Sequence, residues 1–155
     1  GCGGGAGNQS CAFARCSLEH GGVRFCWECP EYPCSRHEGL DDWDSFVPHR
    51  NRRQDIARAR AVGLDAYLTR LEEKRAIWEK LLARYNDGRR KTLFNTAVYL
   101  LPLEDLHSVM AALDSQPELA ERSVKERALA AVELLQEAAD RRAISLKLNK
   151  KPKKG

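Results

Sequence analysis

The chain has 155 residues, enough for one domain or for one domain with a small appendage. Its hydrophobic content of 43% is sufficient for a globular core, and no apolar run approaches the length of a transmembrane helix, so no membrane partner is expected. The formal charge of +4 comes from the C-terminus, because the last nine residues contain five lysines and the formal charge without these lysines is −1.

The sequence opens at Gly1 rather than at a methionine and shows no secretory signal peptide. We therefore expect a cut or processed start, with residues missing upstream, and a protein of the reducing cytoplasm. Structural disulfides are rare in that compartment, which favours metal-bound thiolates over disulfides.

All six cysteines lie in the first 34 residues, which also contain a run of glycines. A segment so short and so rich in glycine cannot bury a core of its own, and a cross-link has to hold it. Disulfides, a metal ion or an iron–sulfur cluster would each supply one. We predict that residues 1–37 form a metal-binding segment. Its ligands follow the spacing C-x8-C-x4-C-x9-C-x2-C-x4-C: Cys2, Cys11, Cys16, Cys26, Cys29 and Cys34.

The pair Cys26 and Cys29 is the strongest unit, because a C-x2-C loop directs two sulfurs at one centre. Four thiolates complete a tetrahedral zinc site, and six suffice for two zinc ions with shared ligands. Four thiolates also hold a [4Fe–4S] cluster, so zinc is the first prediction and iron–sulfur is the alternative. His20 and His37 are close enough in sequence to act as ligands, but with six thiols present we expect both on the surface.

A connector rich in acids and aromatics leads from the cysteines to a cluster of arginines. One interpretation is a patch that meets phosphate or the acids of a partner. The other is a set of solvated arginines that pair with Asp41, Asp42 and Asp44, which suits the forked guanidinium. The candidate patch contains Arg50, Arg52, Arg53, Arg58 and Arg60.

Residues 38–146 are predicted to form an α-helical body, because apolar residues recur there every three or four positions. A short helix over 54–61 is expected to end at Gly63, and a long helix to run from an Asp65 N-cap to Tyr85. The stripe of that long helix contains Leu68, Leu71, Ile77 or Trp78, Leu81, Leu82 and Tyr85.

The apolar segment 93–101 suits either a buried helix or a buried strand, and we predict a helix because its flanks are helical. Pro102 fits the first turn of the next helix, and Pro117 opens a final helix to about Arg142. Residues 144–148 alternate like a short strand. Residues 147–155 are predicted to be a disordered, lysine-rich tail.

No set of residues suggests catalysis. His49 and His107 are isolated histidines, and the carboxylates are scattered at spacings typical of solvated helix faces. The sequence contains neither a serine nucleophile elbow nor an H-E-x-x-H zinc motif. An enzyme is therefore not predicted, although a thiol left outside a metal site would have a lowered pKa.

The cysteine runs CAFARC (11–16) and GGVRFCWECPEYPC (21–34) resemble a bacterial and archaeal cysteine-rich family known as Domain of Unknown Function thirty-seven ninety-five. The stretches LARYNDGRR (82–90) and LLPLEDL (100–106) are similar to one branch of it. Members usually carry an additional cysteine motif ahead of the position of Cys2, so the resemblance implies that upstream ligands are missing here. It implies a metal-binding cytoplasmic protein, without an established activity.

We therefore expect a mainly α-helical bundle with an irregular, metal-clamped N-terminal segment. It would act as a binding or adaptor module with a protein partner that recognises the arginine patch. The alternative is an iron–sulfur redox, electron-transfer or sensor protein. A third interpretation is nucleic-acid binding through the arginines and the lysine tail, with an affinity that falls steeply with salt.

Overall fold

The computed structural model of the chain describes residues 11–45 and 47–151. It divides into two compact units, residues 1–38 and residues 39–155, here termed the cysteine-rich unit and the helical unit. The described residues form six α-helices and no strand, which confirms the mainly helical prediction. The helices are α1 (Ala12–Glu19), α2 (Arg52–Val62), α3 (Leu64–Tyr85), α4 (Lys91–Leu100), α5 (Leu103–Asp114) and α6 (Val124–Arg141).

In the cysteine-rich unit, helix α1 was not anticipated from the sequence pattern. It ends in a Schellman motif, in which the N–H of Gly22 donates to the carbonyl of Ser17 at 2.7 Å and the N–H of Gly21 to that of Leu18 at 3.3 Å. Both glycines have a positive φ, which residues with a Cβ rarely adopt. The glycine pair therefore reverses the chain directly after the helix that carries Cys16.

Two short 3₁₀ turns complete this unit, at Cys26–Glu28 and Ser35–His37. The carboxylate of Glu28 accepts hydrogen bonds from the backbone N–H groups of Arg24 at 2.7 Å and Phe25 at 3.1 Å. The N–H of Cys29 also donates to the carbonyl of Cys26 at 3.1 Å. The C-x2-C segment is thereby closed into a turn by its own backbone and by Glu28.

The helical unit is built around α3, which packs against each of α2, α4, α5 and α6. Its core consists of aliphatic and aromatic side chains from these helices, and their burial is the main source of its stability. Among the described residues, no helix combines the length and the apolarity needed to cross a membrane. The side chains with no exposed surface include Leu81, Phe94, Ala97, Leu101, Leu106, Ala131, Leu135 and Ala138.

The predicted apolar stripe of α3 is only partly buried. Ile77, Leu81 and Tyr85 lie in the core, as the spacing indicates. Leu68 and Leu71, nearer the N-terminal end of the same helix, are 46% and 40% exposed. Periodicity identifies the face of a helix but not how far the covering elements extend along it. Segment 93–101 is a helix over Lys91–Leu100, which confirms the choice of helix over strand.

The final predicted helix is in fact two elements. A 3₁₀ turn spans Pro117–Glu121, and α6 begins afresh at Val124. Ser123 and Glu126 form a capping box, in which the Ser123 hydroxyl accepts from the N–H of Glu126 and the Glu126 carboxylate accepts from the N–H of Ser123. This S-x-x-E signature is present in the sequence and marks the correct start.

Residues 144–148 form no strand, contrary to the alternating pattern. Leu146 instead inserts into the core of the helical unit, 7% exposed. The Arg50 guanidinium donates to the carbonyls of Ser145 at 3.1 Å and Lys147 at 3.0 Å, and the N–H of Asn149 donates to the Asp44 carboxylate at 2.7 Å. These side-chain partners satisfy backbone groups that a strand would pair with another strand.

Candidate metal centre in the cysteine-rich unit

Four of the predicted ligands surround one cavity. Cys16 from α1, Cys26 and Cys29 from the C-x2-C turn, and Cys34 from the following loop all line a pocket of about 290 Å³. Each of these thiols is partly buried, and none forms a disulfide. Three chain segments that are separate in sequence thus bring thiols to a common space.

Electrostatic interactions show that the four thiols are neighbours. The pKa of Cys26 is raised, first by burial and then by the nearby Cys34, Cys16 and Cys29. A thiolate at Cys26 is disfavoured by thiolates close to it, because like charges repel in a partly dehydrated site. A bound cation would remove this penalty.

The four thiols are not arranged as the ligands of a metal ion in this structure. Within residues 11–45 and 47–151, no group of three or more histidine, cysteine, aspartate or glutamate side chains is arranged to hold a metal ion.

Two histidines border the same cavity, and they differ in their surroundings. His20, on the turn after α1, donates through its Nδ1–H to the Cys16 carbonyl at 2.8 Å, and its Nε2 lies 3.3 Å from the Glu31 carboxylate. Its Nδ1 is also 3.6 Å from the Cys16 sulfur. The hydrogen bond to the Cys16 backbone, and then the one to Glu31, raise the pKa of His20.

His37 is buried, contrary to the expectation of a surface residue. It is 3% exposed and makes edge-to-face contacts with Phe13 at 5.3 Å and Tyr32 at 5.1 Å between ring centroids. A second aromatic pair in this unit is formed by Phe25 and Trp27, whose rings stack with centroids 4.2 Å apart. The sequence pattern did not indicate Phe13 as a pocket residue, although aromatic residues beside cysteines in a chain segment of this size are its main source of apolar area.

The remaining predicted ligands are placed differently. Cys11 directly precedes α1 and is not among the residues that line the cavity. Cys2 lies outside the described residues. The structure therefore brings Cys16, Cys26, Cys29 and Cys34 together, and it does not add Cys11 to them.

The candidate arginine patch belongs to the helical unit, and two of its members have intramolecular partners. Arg50 donates to carbonyls of the C-terminal segment and lies 3.6 Å from Asp44, and Arg53 lies 3.5 Å from Asp41. These are pairs of the kind that the solvated-arginine interpretation describes. Arg58 and Arg60 are exposed on α2, and Arg52 is partly exposed at its start.

Comparison with protein-family models, with curated proteins and with solved structures finds no match to the chain. The family resemblance of the cysteine runs stays a prediction.

Proposed function

We propose that the cysteine-rich unit binds zinc through Cys16, Cys26, Cys29 and Cys34, and that the bound metal gives this unit its fold. The single observation that supports the proposal is the convergence of these four thiols on one pocket of about 290 Å³. Four sulfur ligands match the preference of structural zinc sites for closed tetrahedral Cys₄ coordination.

The thiols lie near the end of a helix and on turns rather than on extended chain. Cys16 lies near the end of α1, just before the glycine pair, and Cys26 and Cys29 flank a 3₁₀ turn closed by Glu28. Small adjustments of side-chain torsions and loops would bring the sulfurs toward a shared ion about 2.3 Å from each. Metal binding deprotonates cysteine ligands, and the positive charge of the ion offsets the repulsion between neighbouring thiolates that raises the pKa of Cys26.

In this proposal the protein is a binding or adaptor module rather than an enzyme. The exposed guanidinium groups on α2, together with the lysines near the C-terminus, would attract an acidic protein partner. Arg58 and Arg60 are the residues to test, because Arg50 and Arg53 already pair within the chain.

The alternative is a [4Fe–4S] cluster with a redox or sensing role. The same four cysteines that line the cavity would hold the cluster. Such clusters use four cysteine thiolates, and Tyr32 also lines the cavity. The same residues would then carry electrons rather than only structure.

The deciding experiment is elemental analysis together with acid-labile sulfide on protein purified without oxygen. One zinc per chain without sulfide is the expected result, and iron with matching sulfide would establish the alternative. Cobalt substitution provides a second readout, because four thiolates around Co²⁺ give intense tetrahedral ligand-field and charge-transfer bands.

Single cysteine variants locate the ligands. Cys26→Ser is expected to lose the metal, and Cys11→Ser, the matched control outside the pocket, is expected to keep it. Equal metal loss in both variants would show that the ligand set differs from the proposed one. Metal content near zero in wild-type protein would refute the proposal for either metal.

A further inference from the structure

The helical unit contains a groove of its own, unconnected with the proposed metal site. It lies between α2, α3 and α4 and has a volume of about 370 Å³. Its walls are mainly apolar, and several polar side chains open into it. Pockets of this composition, with a few converging polar groups, are typical of small-molecule sites. The residues that define it are Leu71, Trp78 and Val98 on the apolar side, and Asp55, Tyr67 and Lys74 on the polar side.

Lys74 is the central polar group. Its ammonium donates to the backbone carbonyls of Leu101 at 2.7 Å and Tyr99 at 3.2 Å, at the C-terminal end of α4. An ammonium has three donors, and in the described part of the chain the third has no protein acceptor. Burial lowers the pKa of Lys74 to about 8. A partly dehydrated cation with one open donor is stabilised by an added anion.

The charges around Lys74 leave the groove positive. Asp55 on α2 faces it, but this carboxylate also hydrogen-bonds to the Tyr67 hydroxyl. Arg58 on α2 and Arg70 on α3 add positive potential at Lys74, while Glu104 on α5 opposes it and is bound by Arg70 at 2.6 Å.

Arg75 also lines the groove and contacts Glu72 at 2.8 Å, with both side chains well exposed. The charged side chains that line the groove are Lys74, Arg75 and Asp55, which are two cations and one anion. The net charge favours an anionic ligand over a cationic one.

The apolar wall of the groove is fixed by a hydrogen bond and is accessible to solvent. The Trp78 indole N–H donates to the Asn95 side-chain oxygen at 2.5 Å, which fixes the ring. Leu71 and Tyr99 are 40% and 38% exposed, unusually high for apolar side chains that line a concavity. A ligand body placed here would remove this surface from water.

We propose that this groove binds a small carboxylic acid with an aromatic or aliphatic body, its carboxylate on Lys74 and its body against Trp78, Leu71 and Val98. The inference is independent of the metal proposal, because every residue involved belongs to the helical unit. A charge-assisted hydrogen bond to the ammonium orients the ligand, and the apolar wall supplies most of the affinity.

The test is a calorimetric titration of the full chain with 4-phenylbutyrate at pH 7. The neutral 4-phenylbutanamide and the cationic 4-phenylbutylamine serve as controls with the same body. We expect the amide to bind about tenfold more weakly than the acid, which corresponds to about 1.4 kcal/mol. We expect the amine to bind more weakly still. Of the three tryptophan indole N–H signals in an NMR spectrum, the one from Trp78 is expected to shift most.

Variants separate the two halves of the site. Lys74→Met retains the apolar stem and is expected to remove the preference for acid over amide. Lys80→Met, on the same helix but paired with Asp114, is the matched control and is expected to bind as wild type does. If Lys74→Met does not fold, Leu71→Ala supplies the test, since it is expected to weaken acid and amide alike by about fivefold.

The pH dependence gives a further readout. Because the ammonium form binds the carboxylate about tenfold more tightly than the neutral amine form and the pKa of Lys74 is about 8, acid affinity is expected to fall about fivefold between pH 7 and pH 9. The affinity of the amide is expected to change little. Absence of binding by 4-phenylbutyrate and by octanoate at 5 mM would overturn the proposal. Equal affinity for acid, amide and amine would also overturn the proposal. So would an NMR spectrum in which the indole N–H signal of Trp27 or Trp43, rather than that of Trp78, shifts most.

Discussion

The two units of this chain are stabilised by different means. Within residues 11–38, His37 is the one side chain with less than a tenth of its surface exposed. The helical unit buries a continuous core that includes Leu81, Phe94, Leu106 and Leu135 without exposed surface. The comparison shows that helix content alone does not make a stable unit, because α1 is a regular helix with no buried residue.

The magnitudes explain why a cross-link is expected in one unit and not in the other. Each fully buried leucine or phenylalanine contributes about 1.5–3 kcal/mol, and the helical unit has many of them. In the described part of the cysteine-rich unit, the aromatic contacts are a cluster around His37 and the stacked pair Phe25 and Trp27. A structural zinc site contributes about 10–16 kcal/mol of apparent binding free energy, enough to replace a missing core.

The largest expected effect is that of metal removal. Treating anaerobically purified protein with a strong chelator is expected to abolish the hydrogen-exchange protection of residues 11–38, because no apolar core remains to hold them. Protection in α3, α5 and α6 is expected to stay unchanged. Hydrogen exchange followed by mass spectrometry measures both regions in one sample. If the amides of residues 11–38 stayed protected from exchange without metal, the claim that a metal stabilises the cysteine-rich unit would be wrong.

A core truncation tests the other side of the comparison. Leu106→Ala is expected to lower the free energy of unfolding of the helical unit by about 3 kcal/mol, because Leu106 has no exposed surface and leaves a cavity. Urea denaturation followed by circular dichroism measures it. Leu129→Ala, at a position 45% exposed, is the control and is expected to cost about 0.5 kcal/mol or less. A change in metal content with Leu106→Ala would argue that the two units are coupled.

Removing the cap of α6 is expected to have an intermediate effect. Ser123→Ala deletes the acceptor for the N–H of Glu126 and is expected to cost about 1 kcal/mol. Ser108→Ala, at an exposed serine that bonds back to its own helix, is the control and is expected to be nearly neutral.

The cap also predicts a pH dependence. The hydrogen bond from Ser123 lowers the pKa of Glu126, so its contribution is present above the usual glutamate pKa and is lost as pH falls through the lowered value. The destabilisation by Ser123→Ala is therefore expected to be smaller at pH 3 than at pH 7. Parallel urea curves at the two pH values check this, and an equal cost at both would mean that Glu126 takes no part in the cap.

The smallest expected effect concerns a surface ion pair. Lys80 contacts Asp114 at 2.7 Å, with a third to a half of each side chain exposed. Asp114→Asn is expected to cost about 0.5 kcal/mol, and the difference should vanish in 1 M salt because exposed charges are screened. A larger cost that persisted in salt would show that charges, and not only the apolar core, hold the helical unit.

Much of the helical unit could be predicted from local signals. The long helix to Tyr85, the stop at Asn86–Gly88 and the helix over 91–100 follow from periodicity and turn residues. The errors also have local causes. The S-x-x-E capping box at Ser123 signals the start of a new helix, which the apolar periodicity across 117–142 conceals. The alternation at 144–148 indicated a strand, although no strand partner exists among the described residues.

The pocket residues were predictable only in part. Spacing identified the cysteines but not which of them meet, because α1 and the reversal at Gly21 and Gly22 decide where Cys16 lies relative to Cys26 and Cys34. The burial of His37 depends on Phe13, which is distant from it in sequence, and on Tyr32, which lies on another turn. Whether the thiols bind metal stays a prediction.

Local sequence patterns establish the mainly helical class, since apolar periodicity, glycine stops and proline starts act within a few residues. The sequence also places all the thiols in one short segment. Long-range packing is needed to show that Leu71 stays exposed beside Lys74, that Arg50 binds the C-terminal carbonyls, and that Leu146 enters the core. Each of these depends on residues far apart in the chain, whose proximity no local pattern encodes.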